Sequence, residues 1–289
     1  MTAEGNLRGS LFMVLAMAGF AVEDMFLKTA AKTLPVGEIL ILFGGGGMLV
    51  FAALAIRKGQ RVLAPEILSP PILIRAVFEV LGRFFYTLAI ALTPLSSASA
   101  ILQATPLVVV AGAALVFGER VGWRRWSAIA LGFAGVLLIL RPGLEGFTAM
   151  SLLAVAGTLG FAGRDLATRA APPALSNLQL GIYGFAMMVP AGAALLAWTG
   201  GAVVPSPIAA ACLLAAIGVG VFAYNALTIA MRSGEVSVVT PFRYTRLVFA
   251  LILGALVFHE RPDAATLTGA AIVVATGIFT LLRSGRKRP

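Results

Sequence analysis

Three charged side chains lie one helical turn apart inside a long apolar stretch of this chain. Arg75, Glu79 and Arg83 follow one another at intervals of four within residues 71–92, and Tyr86 continues the row. Side chains three or four residues apart share one face of a helix, so these groups fall on a single face. One interpretation is an intrahelical ion-pair ladder in which Arg75 extends toward the aqueous surface. In the other, Arg83 binds a substrate carboxylate while Glu79 offsets part of its charge.

A second group of cations consists of Arg243 and Arg246, with Tyr244 between them. Their spacing of three places both guanidinium groups on one face. They bring positive charge into an apolar run, so they need a partner from another segment or from a ligand. We consider two interpretations: a bridge to Glu79 or Glu23, and an anion site, because Arg holds a carboxylate in a planar fork.

Two aspartates each precede a cation by four residues: Asp24 precedes Lys28, and Asp165 precedes Arg169. This spacing favours intrahelical bridges near a helix end, so we interpret both pairs as structural. Glu23 is a further acid in an apolar run and could carry a proton, as could Glu79.

A proline interrupts another apolar run next to polar side chains. Pro106 removes a backbone hydrogen bond and frees a carbonyl, and Gln103 and Thr105 lie beside it. Broken helices near the middle of the bilayer mark substrate sites in transporters, so Gln103 is a candidate binding residue. A packing kink is the other interpretation.

The composition places these residues in a membrane protein. Of the 289 residues, 60% are apolar and only 12% are charged, whereas a soluble domain carries about 25% charged residues. About 20 apolar residues in a helix cross the hydrocarbon layer. We predict an all-α protein with ten transmembrane helices, spans 1 to 10, at residues 10–29, 37–56, 71–92, 95–117, 124–141, 148–168, 177–199, 207–231, 235–258 and 264–283.

Several classes of chemistry lack the residues they need. Cys212 is the only cysteine and His259 the only histidine, so we predict no disulfide, no metal site and no catalytic residue. No nucleotide-binding loop occurs, and the run Gly44 to Gly47 lies inside a span, where it suits close helix packing. We therefore expect no cofactor and no enzymatic activity.

The basic residues predict the orientation. The net charge is +10, and the cations lie mainly in short connections. With the N-terminus inside, fourteen Lys and Arg residues fall on the inner face, against four on the outer face, Lys28, Lys32, Arg141 and Arg261. The positive-inside rule then places both termini in the cytoplasm.

The sequence also repeats itself at a separation of 141 residues. Ala114–Arg120 returns as Ala255–Arg261 with six of seven residues identical, and the stretch from Gly19 returns from Gly160. Each half, 1–143 and 144–289, holds five spans, so the second copy crosses the membrane in the opposite direction. An inverted repeat around a central cavity is a transporter architecture. The repeat is imperfect, because Glu23 is replaced by Arg164.

Aromatic residues occupy related positions in the two halves and could line an apolar pocket. Phe20 of span 1 and Phe161 of span 6 occupy equivalent positions, and we align Tyr224 and Asn225 of span 8 with Phe85 and Tyr86 of span 3.

This organisation resembles the EamA type of the drug/metabolite transporter superfamily. The resemblance rests on two five-span halves, each with a small-residue run leading into a Glu-Arg pair, at Pro94–Arg120 and Ser233–Arg261. It covers nearly the whole chain, which looks most like the bacterial aromatic amino-acid exporters. The resemblance implies a central cavity lined by spans 1, 3, 4, 6, 8 and 9, with spans 5 and 10 at the periphery.

We therefore expect a secondary transporter that exports aromatic or neutral amino acids across a bacterial-type cytoplasmic membrane by alternating access. The alternative substrate is another small anion, such as a nucleotide-sugar or a sugar phosphate. We expect a small molecule and the lipid bilayer as partners, no nucleic acid, and a monomer as the functional unit. The candidate substrate-binding residues are Phe20, Glu79, Arg83, Tyr86, Gln103, Phe161, Tyr224, Asn225, Arg243, Tyr244 and Arg246.

Overall fold

The computed structural model describes residues 3–92, 101–140, 149–258 and 263–284, which are helical almost throughout and contain no strand. Ten helical segments lie where the ten spans were predicted. Their bounds are α1 Ala3–Ala30, α2 Val36–Arg57, α3 Pro70–Leu92, α4 Thr105–Phe117, α5 Trp123–Leu140, α6 Ser151–Ala170, α7 Asn177–Ala186 with Met188–Thr199, α8 Pro207–Ser233, α9 Val236–Val239 with Thr240–Tyr244 and Thr245–Phe258, and α10 Ala264–Ser284.

Five of these segments are long and apolar enough to cross a membrane by themselves, among the residues described. They are Glu4–Leu27, Val36–Arg57, Asn177–Thr199, Pro207–Ser233 and Val236–Leu253. Thr105–Phe117 and Ala264–Thr280 are shorter apolar helices. The part of span 4 before residue 101 lies outside the described residues.

The helix interruptions of α4 and α9 follow from their prolines and threonines. A turn at residues 103–104 precedes α4, and Pro106 leaves the carbonyl of Leu102 without its usual donor. The hydroxyl of Thr105 donates to that carbonyl, so the predicted free carbonyl is satisfied locally. In α9 the hydroxyl of Thr245 donates to the carbonyl of Phe242 at 2.7 Å, just after a 3-10 turn.

The helix pairs between the halves follow a two-fold pattern. Helix α1 packs along α8, and α3 packs along α6. Because α6 is the copy of α1 and α8 is the copy of α3, the two helix pairs are copies of each other. A Cβ built on Gly19 would lie 2.8 Å from Cβ of Ala223, and one built on Gly160 would lie 2.5 Å from Cα of Gly82. Adding 141 to Gly19 gives Gly160, and adding 141 to Gly82 gives Ala223, so the two crossings are equivalent and the repeat is inverted as predicted.

The remaining helices obey the same symmetry. Helix α2 packs on α7 and α5 packs on α10, and each helix of these pairs is the copy of the other. The predicted close packing of the glycine run is confirmed at three positions. A Cβ on Gly44 would lie 2.8 Å from Cβ of Met188, while Gly46 and Gly47 face Ile217 and Phe185. Helices α5 and α10 pack mainly on each other, as expected for peripheral spans.

The membrane face at which α1 begins, here called the N-terminal face, is held together by side chains of the α4–α5 connection and of the first turn of α5. The carboxylate of Glu119 accepts the backbone N–H groups of Val236 and Ser237 at 3.0 and 3.2 Å, which caps the start of α9. Arg125 donates to Glu235 at 2.6 Å. The repeated motif thus contains a cap in its first copy; residues 259–262, which include the end of its second copy, lie outside the described residues.

Candidate functional site

A buried carboxylate near the middle of α3 is the centre of the site. Glu79 is fully buried, and its Oε1 accepts a hydrogen bond from Nη1 of Arg164 at 3.2 Å. The hydroxyl of Tyr224 donates to Oε2 at 3.1 Å. Arg83, one turn further along α3, lies 3.9 Å from the same carboxylate. Glu79 therefore connects α3, α6 and α8 through charge-assisted contacts.

Arg75 belongs to this network and does not extend to the aqueous surface. Its side chain is buried, its Nη2 donates to the hydroxyl of Tyr224 at 2.5 Å, and its Nε donates to Thr168 at 2.9 Å. The prediction that Arg75 extends to the surface is wrong, because a polar wall from α6 and α8 satisfies the guanidinium within the protein. The hydroxyl of Tyr224 accepts from Arg75 and donates to Glu79, so it links the two charges.

The second buried acid, Asp165, also binds two arginines. Nη2 and Nε of Arg164 donate to its Oδ1 at 2.8 and 3.0 Å, and Arg243 of α9 donates to its Oδ2. The predicted intrahelical bridge to Arg169 is wrong, since Arg169 turns to the carbonyl of Met231 at 3.3 Å. Asp165 pairs with Arg243 of α9 instead, because the Arg243 side chain is only 14% exposed and would otherwise lack a counter-charge among the described residues.

The most accessible ion pair of the site joins α1 to α9. Nη2 and Nε of Arg246 donate to Oδ2 of Asp24 at 2.5 and 3.0 Å. The side chains are 32% and 52% exposed. The interhelical bridges expected for Arg243 and Arg246 are therefore confirmed, but their acids are Asp165 and Asp24 and not Glu79 or Glu23. The side chain of Lys28, the partner predicted for Asp24, lies outside the described residues.

Aromatic rings lie beside the guanidinium groups. The Arg246 guanidinium lies 5.4 Å from the ring centre of Phe20, and those of Arg83 and Arg164 lie 5.6 and 5.1 Å from that of Phe161. Tyr86 meets Phe161 edge to face with ring centres 5.9 Å apart. The two phenylalanines are repeat mates, so each half places one ring beneath an arginine.

The register predicted for α8 is wrong by two residues. The crossing glycines make Ala223 the copy of Gly82, so Tyr224 is the copy of Arg83 and not of Phe85. The hydroxyl of Tyr224 thus supplies a polar group where the first half has a cation.

Three candidates are not joined to the network by the contacts above. Tyr244 is buried among Val136 and Val273, and its ring lies 2.9 Å from a Cβ built on Gly132. Its hydroxyl has no hydrogen-bond partner among the described residues. Gln103, in the turn before α4, and Asn225, which follows Tyr224, are half-buried.

Together these groups form what we call the central charge cluster. It contains five arginines and four acids, an excess of one positive charge by formal count. Its members are Glu23, Asp24, Arg75, Glu79, Arg83, Arg164, Asp165, Arg243 and Arg246. They come from α1, α3, α6 and α9, with Tyr224 from α8. Among the residues described, no set of His, Cys, Asp and Glu could hold a metal ion.

The sequence missed that Asp24, Arg164 and Asp165 belong to this cluster. Asp24 and Asp165 each lie four residues before a cation, which suggested local bridges, and Arg164 was noted only as the residue that replaces Glu23 in the repeat. The useful signal was the surplus of arginine in α9, which required acids from other helices.

The arrangement described above matches a known protein family. The EamA-like transporter family matches residues 7–141 and, a second time, residues 147–282. The chain belongs to the EamA-like transporter family. The two matches begin 140 residues apart and end 141 residues apart, which agrees with the separation of 141 found in the sequence. The exact boundary after residue 143 stays a prediction.

The relatives of this EamA protein are transporters of small molecules. It is 27% identical to a riboflavin transporter of Rhizobium johnstonii, covering 96% of this chain and 92% of the relative. It is 30% identical to the pseudopaline exporter CntI of Pseudomonas aeruginosa, covering 93% and 94%. It is 23% identical to an S-adenosylmethionine uptake transporter of Rickettsia prowazekii, covering 95% and 92%.

A solved crystal structure has the same fold as this EamA protein, with a TM-score of 0.82 over 98% of both chains at 20% identity. The family and the relatives together identify the protein as a membrane transporter for a small metabolite and not an enzyme, as the sequence predicted. The names of these relatives do not include amino-acid export.

Proposed function

We propose that this transporter exports a zwitterionic metabolite, with aromatic or neutral amino acids as the favoured substrates. The observation that carries the proposal is the accessible pair of Arg246 and Asp24 beside Phe20. A zwitterion carries both charges of this pair. Its carboxylate would replace Asp24 on Arg246, and its ammonium would replace Arg246 on Asp24, so no charge is left stranded.

A second group of the site, formed by Phe161, Tyr86 and Arg83, suits an apolar substrate side chain. Phe161 and Tyr86 form an edge-to-face pair, and Arg83 is the less buried of the two cations over Phe161, with 24% of its side chain exposed. An aromatic substrate side chain would gain stacking and cation–π contacts there. Gln103 and Asn225 stay candidates for polar contacts, and Tyr244 supports the site by packing.

The aromatic lining disfavours the alternative substrate. With all four acids ionised, the five arginines leave one excess positive charge, and with one acid protonated they leave two, so the charge count suits either substrate. A nucleotide-sugar or sugar phosphate brings about two negative charges. The rings of Phe20, Phe161 and Tyr86 beside the arginines suit an aromatic side chain better than a sugar.

We further propose that the protein lies in the cytoplasmic membrane with both termini inside and acts as a monomer. The excess of Lys and Arg in the connections on the N-terminal face supports the orientation.

Transport by the purified protein in liposomes tests the proposal. Labelled phenylalanine, riboflavin, S-adenosylmethionine and glucose-1-phosphate serve as probes, each loaded at the same concentration. We expect efflux of phenylalanine that unlabelled neutral amino acids inhibit. Arg246→Gln should reduce this efflux about 10- to 100-fold, the loss of one charge-assisted hydrogen-bonded contact of about 1.5–3 kcal/mol.

Arg57→Gln is the matched control, because Arg57 is exposed at the end of α2. It should transport like the wild type. Efflux of glucose-1-phosphate or riboflavin in place of phenylalanine would refute the zwitterion proposal while leaving the transporter fold intact. Normal phenylalanine efflux by the Arg246→Gln variant would show that the pair of Arg246 and Asp24 does not bind the substrate.

A further inference from the structure

One carboxyl of the central charge cluster has no counter-group of its own. Glu23 is 3% exposed, and its Oε2 has no hydrogen-bond partner among the described residues. The wall it faces is apolar: a Cβ built on Gly220 would lie 2.9 Å from Oε2 and 2.7 Å from Cζ of Phe43. Burying an ionised carboxylate in such surroundings is costly, whereas a protonated one fits.

The inverted repeat shows what a partnered version of this position looks like. Glu23 corresponds to Arg164, and Gly220 corresponds to Glu79, since each pair differs by 141. In the second position Arg164 donates to Glu79 at 3.2 Å. In the first, an acid faces a glycine. The same backbone crossing thus holds an ion pair in one place and a single titratable carboxyl in the other.

We propose that Glu23 is a proton-binding site that couples substrate transport to protons. The charged groups near enough to act on it are Asp24 on its own helix, Arg83 of α3 and Arg246 of α9. Helices α2 and α8 present Phe43 and Gly220, which do not titrate. Arg243, from the 3-10 turn of α9 that also packs on α1, is held by Asp165. Glu79 does not take this role, because its two oxygens already accept from Arg164 and Tyr224.

The sign of the coupling rests on the proposed binding of the substrate ammonium at Asp24, the neighbour of Glu23. An ionised Glu23 attracts that ammonium more strongly than it repels the carboxylate on Arg246, because the ammonium would lie beside the adjacent residue Asp24, whereas a protonated Glu23 does neither. Proton and zwitterion therefore compete, so one binds as the other leaves and the proton gradient drives export. The atoms balance: the carboxyl releases one proton when the substrate binds and regains it when the substrate departs.

A pair of matched probes tests this sign. Phenylalanine carries an ammonium and a carboxylate, and 3-phenylpropanoate carries only the carboxylate. Lowering the pH should weaken phenylalanine binding and strengthen 3-phenylpropanoate binding. The change for 3-phenylpropanoate should be about tenfold, as for two unit charges roughly 12 Å apart at an effective dielectric constant of about 20. The change for phenylalanine should be smaller, because an ionised Glu23 repels its carboxylate while it attracts its ammonium. In Glu23→Gln the binding of both probes should be independent of pH, and Glu4→Gln, changed at an exposed acid of the same helix, should match the wild type.

A measurement without substrate separates this proposal from the proposed function. Infrared difference spectra of the purified protein between acid and alkaline pH should contain a buried-carboxyl band that Glu23→Gln lacks and Glu23→Asp shifts. Should neither probe bind, the zwitterion proposal fails, and this band alone decides whether Glu23 titrates. The proton site is refuted if the band persists in Glu23→Gln, or if both probes keep the same pH dependence in that variant.

Discussion

Replacing Arg164 by glutamine tests whether the buried ion pairs hold the two halves together. Arg164 donates three hydrogen bonds, one to Glu79 and two to Asp165, at 2.8–3.2 Å. Removing one partner of a buried pair costs about 3–5 kcal/mol. Asp165 keeps Arg243, and Glu79 keeps Tyr224. The loss should therefore lie at the low end, about 3 kcal/mol.

The partner variant Glu79→Gln should also lose about 3 kcal/mol. Arg164 retains Asp165, but Arg164 and Tyr224 donate to different oxygens of Glu79, so one of them would face the amide NH2 of glutamine. The double variant removes both charges. Its loss should fall below the sum of the single losses by about 1–2 kcal/mol, within the roughly 0.5–3 kcal/mol measured for residues in contact.

The assay is reversible unfolding in mixed micelles with increasing denaturing detergent, followed by far-ultraviolet circular dichroism. Arg57→Gln and Glu4→Gln remove exposed charges and should change the free energy of unfolding by less than about 0.5 kcal/mol. Strict additivity in the double variant would show that Arg164 and Glu79 do not stabilise each other, and the reasoning from their geometry would then be wrong.

Four further substitutions test the helix packing, the helix cap and two hydrogen bonds in the same assay. Gly160→Ala puts a Cβ 2.5 Å from Cα of Gly82 and should cost about 1–3 kcal/mol, whereas Gly45→Ala meets nothing within 4 Å and should be neutral or stabilising by up to about 1 kcal/mol; equal effects would contradict the crossing geometry. Glu119→Ala removes the cap of α9 and should lower the free energy of unfolding by about 0.5–2 kcal/mol. An unchanged free energy would show that the cap is absent in solution. Tyr183→Phe removes two hydrogen bonds of 3.1 Å to backbone groups of the α2–α3 connection and should cost about 1–2 kcal/mol; an unchanged free energy would show that water replaces them.

The positions of the helices follow from the sequence because helix length and bilayer thickness are both fixed. Span 7 was predicted at 177–199, and α7 occupies the same residues. Span 2, predicted at 37–56, is one residue longer at each end in the structure. Internal repetition then gave the symmetry, since an odd number of spans in each half leaves only an inverted arrangement.

The ion-pair partners could not be predicted in the same way. Asp24 lies four residues from Lys28 in sequence but binds Arg246, which is 222 residues away. Local spacing identifies which partners are possible on one helix, whereas the actual partner depends on how each helix is rotated about its axis. That rotation is set by packing at sites such as Gly19 and Gly160, whose contacts a single sequence does not reveal.

The differences between the two halves assign different roles to equivalent helix crossings. At the crossing of α3 and α6, Arg164 and Glu79 form a buried ion pair, and separating these helices would strand two charges. At the crossing of α1 and α8, Glu23 meets Gly220 without such a bond. Sliding of α1 past α8 therefore breaks no ion pair at the contact between Glu23 and Gly220. We expect alternating access to involve movement at the α1–α8 crossing, while α3 and α6 move as one body. A cross-link between α1 and α8 should therefore inhibit transport, whereas a cross-link between α3 and α6 should be tolerated.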